Sequence, residues 1–496
     1  MIGFDRTLGD WRRMGGAPLS AVLLTLMAGC SRVDGPATSP SSPTLTVGYG
    51  LATGSTAQAG IQQTIRNFAI ESLVAFGEDG RPQARLAERW SVSPDGLTLR
   101  IHLRHGVTFH NGQPLTASVV RAILLQQLPG QLGPAYGDVE DIRAVSDMTV
   151  EFSLRRRSSF LFEALDVPIE QPGPVPIGTG PFHPITARDD RVELRANDTY
   201  YLGKPLIDRV VIRSYGSVRS AWADMLRGEV DMLYEVGFDA LDSLQPSTNV
   251  QLFVHQRQYA YVLLLNVRRQ HLASKDIRRQ LNAAIDRRTL VSDVLNGHGT
   301  PATGPVWPGH WAYSKALPKF EYQPASATLP NGNRLLCLFA DSSLERLGLM
   351  LQKQLLAVGV HLELRLTSVD EIYEKVTSGD FDVVLADANS GPTLIRSYRF
   401  WHSGGPFNWG GFTSSAVDQA LAVIRDAPDD DTYRAGVAAF QRAIIDDPPA
   451  IFLVWSERAR AVSTRFEVPD AGAGRDILPT LRLWRPATDK KRVSPN

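Results

Sequence analysis

Residues 335–386 read LLCLFADSSLERLGLMLQKQLLAVGVHLELRLTSVDEIYEKVTSGDFDVVLA, and the alternation inside this stretch decides the fold class. Leu335–Phe339 is a continuous apolar run of strand length. Ser343–Ala357 carries apolar residues at helical spacing and stops at Gly359. Val360–Leu366 is a second strand, Glu371–Thr377 a second helix stopped by Gly379, and Phe381–Leu385 a third strand. Strands joined through helices return to one sheet in the same direction, so the stretch predicts an α/β unit with a largely parallel sheet. Cys337 falls inside the first strand and reads as a core thiol.

Upstream the elements are shorter and punctuated by turns. Leu45–Tyr49 reads as a strand and Ile61–Phe76 as a helix. Ser93-Pro94-Asp95-Gly96 is a turn, after which Leu97, Leu99, Ile101 and Leu103 point one way and Thr98, Arg100, His102 and Arg104 the other. Asn111-Gly112 makes a second turn, and Thr116 caps a helix running through Leu128. The break at Gly178–Phe182 precedes strands at Val192–Arg195 and Asp208–Arg213. Ser217 opens a helix that ends at Gly228, before the short strand Val230–Leu233.

The first 43 residues have a different character. Arg12 and Arg13 flank an apolar stretch, Ala17–Ala28, that is too short to span a bilayer as a helix. It ends in Leu26-Met27-Ala28-Gly29-Cys30, which resembles a bacterial lipoprotein signal with Cys30 as the lipidated new N-terminus. A cleaved secretory signal with an incidental cysteine is the alternative. Residues 1–29 are then the signal, and residues 30–43, rich in Ser and Pro, a linker holding the globular part off the membrane. The expected location is the periplasmic or extracellular face, with the lipid as the one membrane contact. With Cys30 lipidated, Cys337 remains alone and no intramolecular disulfide forms.

Charge is balanced at 52 basic and 52 acidic side chains, which argues against nucleic acid as a partner. Gly48–Gly54 follows a strand but lacks the spacing and the later acidic residue of a dinucleotide site. His102, His105 and His110 lie close together, yet their side chains diverge around a strand and two turns, so no metal site is expected. The common hydrolase and nucleotide-binding motifs are missing, and no catalytic residue or cofactor is assigned. Aromatic residues, by contrast, gather in Gly/Pro-rich connections, a common way to line a ligand cleft.

Several blocks, in order along the chain, carry a resemblance. They are Leu86–Thr98, Leu103–Ala117, Gly178–Phe182, Asn197–Pro205, Gly228–Asp231, Ile277–Arg287 and Gly379–Asp382. Together they resemble family 5 of the extracellular solute-binding proteins, the oligopeptide, dipeptide and nickel-type receptors of bacterial ABC importers. The resemblance implies an α/β, two-lobed periplasmic-binding-protein type II-like fold with a hinge. Two strands cross between the lobes, near Tyr259–Asn266 and Ile451–Ala461. Lobe I then covers 44–258 plus 460–490, and lobe II 259–459. The expected partners are a peptide or other small solute and ABC permease subunits, with the chain itself a monomer. An exported hydrolase on a related scaffold, or a peptide-chaperone or signalling receptor, are the rival classes.

Ligand-binding candidates are Tyr49, Tyr261, Trp307, Asp387, Arg396, Trp401, Trp409 and Trp455, chosen for loop or crossover position. In peptide-binding members an aspartate in the loop after residue 386 holds the peptide ammonium. Here that loop reads Asp387-Ala388-Asn389-Ser390-Gly391-Pro392, so Gly391 replaces the aspartate unless Asp387 serves from a shifted position. Arg396 and Arg399 follow at helical spacing and suit a carboxylate or phosphate. Residues 129–177 are abbreviated relative to the family, so no ligand residue is carried over there.

Overall fold

The computed structural model describes residues 43–50, 55–173, 175–187, 191–237, 240–241, 248–324, 334–472 and 474–487. Cys30 and its signal lie outside them. The chain starts with β1 (Thr44–Gly50) and α1 (Ser55–Ala69). An inserted domain follows, with β2 (Ala87–Val92), β3 (Thr98–Leu103), α2 (Ala117–Leu132), β4 (Val139–Ser146), β5 (Thr149–Leu154) and α3 (Ser159–Glu163). Next come β6 (Phe182–Ala187), β7 (Arg191–Ala196), β8 (Arg209–Tyr215), α4 (Val218–Leu226), β9 (Met232–Val236), the long β10 (Val250–Leu265) and α5 (Lys275–Ala283). The expected α/β stretch is β11 (Arg334–Phe339), α6 (Glu345–Leu356), β12 (His361–Leu366), α7 (Val369–Ser378) and β13 (Val383–Asn389). Helices α8 (Leu394–Trp401), α9 (Ser415–Asp426) and α10 (Asp430–Asp446) lead into the second long strand, β14 (Ala450–Ser463).

One sheet of eleven strands runs through the molecule in the order β6-β7-β8-β1-β9-β14-β10-β13-β11-β12, with Gly299–Pro301 paired to β14 off that path. Strands β1, β8 and β9 are parallel neighbours at one end, and β11, β12 and β13 at the other. Between them β10 and β14 pair antiparallel over nearly their whole length, from Val250 opposite Ser463 to Leu264 opposite Ala450. These two strands belong to both halves of the sheet, which makes the fold two-lobed with a doubly stranded connection.

Local chemistry explains the elements. Ser368 caps α7 by accepting from Glu371 N at 3.1 Å, and Gly379 ends it at φ 75°, where a side chain would be strained. Ser217 and Thr116 cap α4 and α2 in the same way. In β11, Leu335, Cys337 and Leu338 are fully buried, each worth about 1.5–3 kcal/mol if aliphatic. The alternation at 97–103 gives β3, with Leu99, Ile101 and Leu103 inside, although Leu97 itself is exposed. The helix expected over 61–76 ends at Ala69 instead. Glu71–Ser72 pairs with Pro168–Ile169 and Val74–Phe76 with Pro82–Ala84, so tertiary strand pairing overrides the helical periodicity.

The inserted domain is a four-stranded antiparallel sheet, β2-β3-β5-β4, with α2 on one face. Its core is continuous with that of α8, α9 and α10: Phe160, Leu161 and Leu165 share one buried cluster with Tyr398, Leu421, Phe440 and Phe452. The two lobes are therefore packed against each other around the central sheet. Among the described residues no helix is long and apolar enough to cross a membrane.

Candidate functional site

The regular pairing of the two crossing strands is interrupted twice, between Gln256 and Ala260 and again between Tyr261 and Val262, and the first break is the wider. On β10 three residues, Arg257, Gln258 and Tyr259, lie between Gln256, opposite Glu457, and Ala260, opposite Trp455. The pairing of β9 with β14 also shifts between Leu233 and Val236, beside Tyr234 and Glu235. Extra residues in a strand re-aim side chains and sharpen the twist. Here they bring charged groups from both halves of the sheet to one buried spot.

Arg257 Nη2 donates to Asp387 Oδ2 at 3.1 Å, and both side chains are no more than one-tenth exposed. Arg458 Nε donates to Glu235 Oε1 at 3.2 Å, and its Nη2 donates to the Tyr261 hydroxyl. Arg460 grips both oxygens of Asp476 and donates to the Tyr234 carbonyl. Burial pushes Glu235 toward the neutral form, but Arg257, Arg458 and Arg460 outweigh it and hold the carboxyl well below the usual range. Burial disfavours charge on Arg257 too, and Glu235 and Asp387 overcome that, keeping the guanidinium charged. A buried charge without a partner costs several kcal/mol, so the reciprocal pairing is what makes the cluster tolerable.

The structure places the candidates in four settings. Tyr49, Tyr261 and Asp387 belong to this charged cluster: Tyr261 accepts from Arg458, Asp387 pairs with Arg257, and Tyr49 packs on Tyr234 at 5.5 Å. Among the described residues the buried Tyr49 hydroxyl has no hydrogen-bond partner, and burial followed by Glu235 raises its pKa, so it is a neutral donor. Trp307 and Trp455 meet edge to face at 5.1 Å; Trp307 Nε1 donates to Glu78 O, whereas Trp455 Nε1 is buried and unpartnered. Trp401 packs on Phe452 at 5.4 Å and is 4% exposed, and Trp409 lies against Phe400 and Phe407. Arg396 donates to Asp166 Oδ2 of the inserted domain at 2.9 Å, with its Nε buried and unpartnered.

Gly391 and Arg396 are coupled. Gly391 has φ 53°, and a Cβ there would lie 2.2 Å from Arg396 Cδ. Only a glycine lets the arginine fold across this loop, whose Ser390 and Gly391 N–H groups donate to Gln258 O. A guanidinium thus covers the position that the resemblance gives to an ammonium-binding carboxylate.

Arg257, Glu235 and Arg458 were not among the candidates. The alternating Arg458 and Arg460 inside a strand that otherwise reads as buried were a usable signal, since charges in such a run need partners. Arg257 carries no such mark, because it sits in a polar stretch, whereas Glu235 interrupts the apolar run Met232–Val236 and was legible in the same way.

A cavity of about 1020 Å³ opens elsewhere, lined by Gln256, Arg287, Thr300, Tyr313, Phe320 and neighbours. None of the eight candidates lines it. Its walls come almost wholly from residues 285–322, with Gln256 of β10. Among the described residues no group of three or more His, Cys, Asp or Glu could hold a metal ion.

Comparison with known proteins agrees with the fold. The oligopeptide-binding protein AppA of Bacillus subtilis is 24% identical over 473 residues, covering 85% of this chain and 87% of that protein. The structure of AppA in complex with a nonapeptide superposes with a TM-score of 0.77 at 21% identity, covering 90% of this chain and 99% of the other. The binding protein AgaA in complex with agropinic acid, from A. tumefacien R10, superposes with a TM-score of 0.76 at 21% identity, with the same coverage. At these identities the superpositions speak for the fold. The model of the bacterial extracellular solute-binding proteins, family 5 (middle), matches residues 81–409, about two-thirds of the sequence. The chain belongs to that family.

Proposed function

We propose that this chain is the receptor of an ABC import system, which encloses a peptide or other small solute between its lobes and hands it unchanged to a membrane permease. The observation that carries the reading is the buried cluster at the crossing of β10 and β14, fed by Glu235 from one half of the sheet and Asp387 from the other. A hinge that runs through two paired strands keeps the lobes in register while they move, and a ligand touching both favours closure. The lobes are 44–258 with 460–490, and 259–459. The family is one of solute-binding proteins, and the charged groups here are locked in reciprocal pairs with no nucleophile held by a base, which supports binding without catalysis.

The same geometry favours a solute with a carboxylate. Asp387 faces Arg257 inside the fold, and the Gly391 loop is covered by the Arg396 guanidinium. Tyr49 Oη and Trp455 Nε1 are spare donors, and buried donors left unmade cost about 1–3 kcal/mol each, which a ligand acceptor relieves. Relatives span both kinds of cargo by name, an oligopeptide for AppA and agropinic acid for AgaA. Outside the described residues, Cys30 is the lipid-bearing N-terminus that tethers the monomeric receptor to the membrane. A thermal-shift screen of a peptide pool against an organic-acid pool tests the reading: carboxylate solutes should raise the melting temperature most.

A further inference from the structure

The cavity of about 1020 Å³ takes none of its lining from the charged cluster: Glu235, Arg257, Asp387 and Arg458 are all outside its walls. Its size matches the larger small-molecule pockets. Much of the wall is apolar, with Pro301, Pro308 and Leu317 beside the rings of Tyr313, Phe320 and Tyr322. Rings and prolines of this kind suit the body of an aromatic or bulky hydrocarbon ligand.

The charges in the same wall do not neutralise one another. Arg287 is 5% exposed and lines the cavity. Its Nε donates to Phe452 O at 2.6 Å, its Nη1 to Asn282 O and Ile285 O, and its Nη2 to Asn282 Oδ1 at 2.9 Å. Every one of these acceptors is neutral, and the second Nη2 N–H has no partner among the described residues. The Phe320 ring covers the guanidinium at 5.1 Å. Other buried arginines are treated differently: Arg278, Arg425, Arg458 and Arg460 each contact a carboxylate. Burial lowers the Arg287 pKa to about 9, with Asp286 opposing, so the side chain is charged at neutral pH. Arg288 and Lys319 are exposed in the same wall, and neither forms an ion pair with a described residue. The two acidic neighbours are bonded to neutral donors. Asp286 accepts from Arg288 N, Thr289 N and Thr289 Oγ1, and Glu321 accepts from Gln323 Nε2.

We propose that this cavity is a second ligand site, which takes a carboxylate carried on an aromatic or apolar body. The rings and prolines hold the body, the acid group pairs with Arg287, and Arg288 and Lys319 draw the anion in. A buried cation without a counter-charge is costly, and an anion bound beside it removes that cost. The site is additional to the one between the lobes and does not depend on what is carried there.

Fluorescence titration of the purified chain with pyrenebutyrate and with pyrenebutanol, the alcohol of the same carbon frame, tests the assignment. The acid should bind about ten- to a hundredfold more tightly than the alcohol, the difference made by a hydrogen bond to a charged group. Thr300→Trp, at an exposed position of the wall, fills part of the cavity and should abolish binding of the acid. Arg287→Met should bring the acid down to the affinity of the alcohol. If that variant does not fold, Arg288→Ala combined with Lys319→Ala should weaken the acid several-fold at low salt and leave the alcohol unmoved. Equal affinities for acid and alcohol in the wild type overturn the proposal. Undiminished binding of the acid in Thr300→Trp overturns it too, because the acid is then held elsewhere, between the lobes included.

Discussion

Arg257 and Asp387, 130 residues apart, meet at 3.1 Å where β10 loses its regular pairing with β14, and both are almost wholly out of solvent. Removing either partner leaves a buried charge. Asp387→Ala is expected to destabilise the chain by about 3–5 kcal/mol, the usual cost of breaking a buried pair. Urea unfolding of Asp387→Ala, Arg257→Met and the double variant measures this. The double variant should lose less than the sum of the singles, and strict additivity would show that the pair is not coupled.

Asp476 provides a pH dependence of known sign. Burial pushes its carboxyl upward, but Arg460, which contacts both oxygens, wins and holds it at about 2. A depressed carboxylate contributes stability above its ordinary value of about 3.9 and loses it as pH falls toward the folded value. The contribution, about 2 kcal/mol at neutral pH, should disappear between pH ~4 and ~2. In Asp476→Asn the stability lost between those two pH values should shrink by about this amount, as read by acid unfolding followed with circular dichroism.

How far the sequence could be read depends on the range of the interactions. Residues 335–386 were legible because each strand and helix is signalled within its own run, and β11, α6, β12, α7 and β13 lie within a few residues of expectation. Thr116 and Ser217 were legible as caps for the same local reason. The error over 61–76 arose where partners are distant: Glu71–Ser72 is a strand only because Pro168–Ile169 lies beside it. The charged cluster and the capping of α8 by Glu163 are more remote still, since no local pattern marks a glutamate that serves a helix 232 residues away.

Cys30 is expected to be the lipidated residue. Cys30→Ser should move the protein from the membrane to the soluble fraction while its melting temperature stays unchanged, because a lipid supplies anchoring energy and no packing in the described fold. Retention in the detergent-dependent fraction would contradict this.

Arg396 is expected to set ligand charge. Arg396→Ala should weaken a carboxylate-bearing solute by about ten- to a hundredfold, the worth of a hydrogen bond to a charged group. Its effect on a neutral amide of the same solute should be much smaller. Titration calorimetry on the acid and its amide compares the two, and equal losses for both would place Arg396 outside the ligand contact.

The central claim is that a solute is captured whole between the lobes. Isothermal titration of the purified chain with hits from the peptide and organic-acid pools, followed by mass spectrometry of the released ligand, tests it most directly. One unaltered, carboxylate-bearing molecule bound per chain is the expected result. Catalytic conversion of the solute would contradict the receptor account, and stabilisation by peptides alone, lost in Asp387→Ala, would show that Asp387 holds an ammonium and that the ligand charge inferred from Gly391 and Arg396 is reversed.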